Sequence, residues 1–115
     1  MPKIQARAKR LRIYIGEADS WEGKSLYQAL VLKARELDLA GASVFHGCTG
    51  YGASSRIHTA SLIDLSADLP IMIEIIDSEE YIQKLLPFLD LMVKEGLVTL
   101  DDVEVIKYGN KPPKH

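Results

Sequence analysis

Along this chain the spacing of the apolar residues switches from two to nearly four and back, twice, and that rhythm narrows the possible folds more than any other feature. Leu11, Ile13 and Ile15 alternate with Arg12 and Tyr14, which predicts a half-buried strand over residues 11–16. A polar loop holding Trp21 follows over 17–22. From about Gly23 the period lengthens: Leu26, Leu30, Val31, Ala34 and Leu37 fall on one helical stripe, with Gly41 as its stop. Residues 42–46 read as a second strand that runs into a glycine-rich tract, and residues 61–65 extend a hairpin arm before turn material over 66–70. Residues 71–76 are a strongly apolar strand around Glu74. Asp77 and Glu80 then have the spacing of a reciprocal helix cap. Ile82, Leu85, Leu86, Leu89, Met92 and Val93 mark a second helix that ends at Gly96, with a kink expected at Pro87. Residues 103–108 read as the last strand. The order β-α-β-β-α-β predicts an α+β, ferredoxin-like sandwich with two helices on one face of a four-stranded sheet. The other face stays uncovered in a single copy, and its apolar content suggests that a partner covers it.

At 115 residues the chain suits one domain, over 11–108, with a flexible arm at 1–10 and a tail at 109–115. A domain this short buries only about two thirds of its unfolded surface, so oligomerisation would help to stabilise it. A net charge of −2 is too near neutral for an electrostatic nucleic-acid binder. The four cations of the arm, Lys3, Arg7, Lys9 and Arg10, read as solvated. The single cysteine, Cys48, excludes an internal disulfide, and no Cys/His spacing suggests a metal site. The expected compartment is therefore a reducing cytoplasm. No targeting segment is visible, and the most apolar window, 69–76, carries Glu74 and falls far short of the ~20 residues of a membrane helix.

The best candidate for a ligand site is the tract 47–60, in which Gly47, Gly50 and Gly52 precede Arg56 and His58. Glycine lets backbone approach a ligand closely, and bare amides in a turn attract anions. The plainer reading of the tract is a hairpin with glycines for turn geometry. Arg56 offers a fork for phosphate or carboxylate, or else sits in solvent or in an ion pair between subunits. A structural hydrogen bond is the simpler role for His58, and His46 reads as a satisfied sheet histidine. Cys48 reads as a small buried residue, Trp21 and Tyr14 as aromatic anchors at a subunit interface, and Glu17 and Asp19 as a solvated loop. No nucleophile–base pair or metal cluster is visible, so no catalytic residue is assigned.

Six stretches together carry a family resemblance: residues 11–17, 23–27, 50–52, 57–59, 68–77 and 95–100. Over residues 11–108 the chain resembles an uncharacterised family of small proteins distantly related to the PII nitrogen-signalling proteins. The resemblance implies a PII-like homotrimer, its sheets facing inward, with adenine-nucleotide sites in the clefts between subunits and no further cofactor. It implies that Gly50, Tyr51 and Gly52 are the entry to the long signalling loop, so that residues 50–60 act as a ligand-ordered switch. It also implies that Gly96, Leu97 and Val98 form a second loop on the phosphate side, and that Lys107 and Lys111 reach phosphate from the same or a neighbouring chain. PII proteins have a lysine directly after that glycine, where this chain has Leu97, and Asp101 and Asp102 stand among the replacements that follow. Two aspartates beside a triphosphate would repel it, so the departures point to AMP before ATP. The alternative implied by the resemblance is a ligand-free subunit that regulates a membrane transporter or channel.

Overall fold

A computed structural model describes residues 6–50 and 69–109. The elements are β1 (Arg7–Gly16), β2 (Ser20–Trp21), β3 (Lys24–Ser25), α1 (Leu26–Glu36), β4 (Ser43–His46), β5 (Pro70–Asp77), α2 (Glu79–Met92) and β6 (Leu97–Glu104). The four long strands form one sheet in the order β4-β5-β1-β6, antiparallel throughout. This is the expected ferredoxin-like arrangement. The hairpin arm expected at 61–65 lies outside the described residues.

The alternation in β1 and β5 builds the core. Leu11, Ile13 and Ile15 point to the helices beside Ile71, Ile73 and Ile75, and all six are buried. Leu26, Leu30 and Ala34 of α1 and Ile82, Leu85, Leu89 and Met92 of α2 close over them. Ser78, not Asp77, caps α2, its hydroxyl accepting from the Tyr81 N–H. Pro87 is accommodated inside the continuous helix.

Three boundaries differ from the sequence reading, each for a physical reason. Helix α1 starts at Leu26 rather than near Gly23, because Glu22 and Gly23 both have positive φ and turn the β2–β3 hairpin tightly. It ends before Gly41. Asp38 takes the left-handed conformation at φ 65°, and the N–H groups of Asp38 and Leu39 return to the carbonyls of Arg35 and Ala34. The last strand is Leu97–Glu104, not 103–108, and β1 reaches back to Arg7 into what reads as a loose arm. The two extensions support each other. Lys9 lies opposite Asp102 and Arg10 opposite Asp101, each pair joined by an ion pair, at 2.5 and 2.6 Å. Thus Lys9 and Arg10 are paired sheet residues, not a solvated arm.

The pair with Arg10 holds the Asp101 carboxyl below its ordinary value of 3.8, chiefly through their hydrogen bond. A lowered folded pKa contributes stability at pH values above the unfolded one and loses it as pH falls through the folded one. Acid unfolding of Asp101→Asn, followed by circular dichroism, is therefore expected to lack part of the decline seen for the wild type below 3.8.

Candidate functional site

The open face of the sheet, opposite the helices, carries Arg10, Arg12 and Tyr14 of β1, Met72, Glu74 and Ile76 of β5, Phe45 of β4 and Leu97 of β6. Its charges are largely neutralised in place, Arg12 on Glu74 at 2.9 Å and Arg10 on Asp101. Tyr14, Phe45 and Leu97 are exposed apolar side chains among them. At one end of this face lies a groove of about 920 Å³, lined by Arg10, Glu74 and Ile76, by residues 40–43 and by residues 103–108. The Ala40 end of the wall at 40–43 is held by Asp77, the one polar side chain among the described residues that is fully buried. Its two carboxylate oxygens accept from the N–H groups of Ala40 and Ser78, both at 2.7 Å.

The glycine-rich tract leaves the sheet at the opposite end. The Gly47 N–H donates to the Pro70 carbonyl at 2.7 Å, and a Cβ at Gly47 would stand 2.6 Å from Pro70 Cγ. Gly47 is therefore required by strand packing, whatever else it touches. Gly50 has φ 144° and Gly96 φ 152°, where side chains are rarely tolerated. Leu97 and Val98 are not loop residues: they open β6 and lie opposite Tyr14 and Ile13. Cys48 is exposed rather than buried. Trp21 is partly buried against the core, and the Asp19 carboxylate accepts from the Gly16 N–H at 3.0 Å.

The candidate residues thus fall into two groups. Gly47, Gly50, Gly96, Leu97 and Val98 are at the tract end, and Lys107 is at the groove end, just past β6. Strand β6 separates them by roughly 23 Å, from Leu97 to Glu104 at the usual rise per residue. Tyr51, Gly52, Arg56, His58 and Lys111 lie outside the described residues. The sequence reading missed Glu74, Tyr108 and the 40–43 wall as lining of the groove. No local motif marks them, because only the strand register brings them together.

The structure also removes one argument about ligand charge. Asp101 and Asp102 are each paired with a cation, and Asp101 lies four residues beyond Leu97, about 13 Å along the strand. They do not form a repelling pair beside Gly96. Among the described residues no cluster of His, Cys, Asp or Glu could hold a metal ion, and no helix is long and apolar enough to cross a membrane.

Element order and sheet topology give this chain a ferredoxin-like α+β fold with one open sheet face. The chain belongs to the family described as Uncharacterized ACR, DUF190, whose model matches residues 8–105. It is similar to the UPF0166 protein of Aquifex aeolicus, 44% identical over 101 residues that make up 87% of this chain and 94% of the relative. Among solved structures it is similar to a PII-like signaling protein of Thermus thermophilus, with a TM-score of 0.62 and 21% identity, covering 88% of this chain and 91% of the other. It is also similar to CPII of Thiomonas intermedia bound to ADP, AMP and acetate, with a TM-score of 0.58 and 18% identity, covering 88% and 90%.

Proposed function

We propose that this protein is a non-enzymatic regulatory module of the PII-like type, a homotrimer that binds an adenine nucleotide in the clefts between its subunits. The observation that carries the reading is the split of the candidate residues between the two ends of the sheet. A ligand of nucleotide size cannot span roughly 23 Å along one strand and touch both groups. Two neighbouring copies can supply both, the tract end of one and the groove end of the next. The open sheet face, with its exposed Tyr14, Phe45 and Leu97, then turns toward the other subunits. CPII, which shares the fold, holds ADP and AMP in its structure.

In this arrangement Lys107 supplies a cation to phosphate, and residues 50–60 are the segment through which the ligand signals to a target protein. With Asp101 and Asp102 neutralised, the preference for AMP over ATP rests on Leu97 standing where PII proteins have a lysine.

Titration calorimetry with AMP, ADP and ATP tests the function. Binding of at least one is expected, with Lys107→Ala weakening it about ten- to a hundredfold, as for loss of a charge-assisted hydrogen bond. No heat from any of the three at millimolar concentration would overturn the reading. Sedimentation equilibrium checks the trimer.

A further inference from the structure

Four segments meet at the root of the glycine-rich tract, and two titratable side chains bridge them. His46 is the last residue of β4, and its Nε2 lies 3.6 Å from Oε2 of Glu17, the residue just past β1. Strand β5 runs between them, since Ile71 pairs with His46 on one side and with Ile15 on the other. Both residues flank backbone bonds to the start of that middle strand. The Glu17 N–H donates to the Leu69 carbonyl at 2.8 Å, and the Gly47 N–H to the Pro70 carbonyl at 2.7 Å. From α1, Tyr27 meets the His46 ring edge-on, at 5.6 Å between centroids and 83° between planes, which fixes the plane of the imidazole.

We propose that His46 and Glu17 form a proton-operated clasp, which draws the ends of β1 and β4 together over Leu69 and Pro70 when His46 is charged and releases them when it is neutral. Histidine is the side chain that changes charge in the physiological range, whereas a carboxylate stays ionised there. A separation of 3.6 Å is within ion-pair reach but longer than a hydrogen bond, so protonation has room to shorten it. The other titratable groups near this corner, among the described residues, do not compete. The Asp19 carboxylate is held by the Gly16 N–H, Tyr27 presents its ring, and β5 offers only Pro70 and Ile71. Cys48 follows on the tract and is exposed. The clasp acts on the anchoring of the glycine tract and stands whether or not a nucleotide binds.

Amide hydrogen exchange on the ligand-free full-length protein tests it. Both side chains are nearly half exposed, so solvent screens the pair and the effect is modest. Protection of the Gly47 and Glu17 amides, corrected for intrinsic exchange, is expected to rise about two- to fivefold between about pH 7.5 and pH 5.5. The Ile13 amide in the centre of the sheet reports any global change and is expected to stay level. The rise disappears in Glu17→Gln and in His46→Gln, and salt near 1 M, where the screening length is about 3 Å, flattens it in the wild type. If His46→Gln does not fold, Glu17→Gln alone carries the test, because Glu17 lies in a turn and is not part of the core. An unchanged pH response in Glu17→Gln overturns the clasp, as does a wild-type response that Ile13 shares in full.

Discussion

Replacing Gly96 by alanine is expected to cost about 2–4 kcal/mol of folding stability, among the largest effects of any single methyl group in this chain. Two separate penalties add. At φ 152° the residue sits in backbone territory that a side chain rarely enters. In addition, the new Cβ would stand 2.6 Å from the backbone carbonyl oxygen of Tyr14, with Ile15 Cγ2 at 3.1 Å and Val93 Cγ1 at 3.2 Å. The carbonyl belongs to the β1–β6 ladder and cannot swing aside without breaking the pairing that Leu97 begins. Gly41→Ala is the control, since a Cβ there meets nothing within 4 Å and its φ is not in the positive region. Urea unfolding of the two variants is expected to lower the midpoint strongly for Gly96→Ala and hardly at all for Gly41→Ala. For a domain of this size each kcal/mol corresponds to roughly 4–8 °C in Tm. The result separates architecture from ligand contact. The α2–β6 turn already requires this glycine, so its presence alone says nothing about phosphate.

The parts of the fold that were legible in the sequence are those that bury one face. β1 and β5 alternate cleanly because Leu11, Ile13, Ile15, Ile71, Ile73 and Ile75 all meet the helices, and each helix shows one stripe for the same reason. Strand β6 leaves no clear signal in the sequence because it is an edge strand. Nearly all its residues are exposed on both faces, so burial imposes no period, and Asp101 and Asp102 look like loop residues until Arg10 and Lys9 are found opposite them. Those partners are some ninety residues away in sequence, beyond the reach of any local pattern. The end of α1 is hidden in the sequence because an aspartate, Asp38, takes the conformation usually left to glycine. For the site, the sequence pointed to the tract end and to Lys107 but not to their separation. That separation follows from register and not from residue type.

Asp77→Ala is expected to cost about 2–3 kcal/mol, because two half-buried backbone donors lose a charged acceptor at once. The carboxylate is fully buried at the end of β5 and accepts from Ala40 and from Ser78, each at 2.7 Å. A methyl group in its place leaves both N–H groups without their carboxylate acceptor. Asp77→Asn is the informative companion. Its amide offers a single acceptor oxygen, so one of the two N–H groups is kept and the other meets a donor. Its loss of stability is expected to fall between that of the alanine variant and zero. Hydrogen exchange then shows which bond survives, through the relative protection of the Ala40 and Ser78 amides. The outcome at Ala40 bears on function as well. Ala40 begins the 40–43 wall of the groove, whose far end, Ser43, is already in β4, and Asp77 ties the Ala40 end to β5. A variant that keeps its fold but frees Ala40 is therefore expected to lose nucleotide affinity together with Lys107→Ala, although Asp77 itself lies outside the groove lining. If Ala40 is freed and affinity is unchanged, the groove end contributes nothing to the ligand, and the site must be sought at the tract end alone.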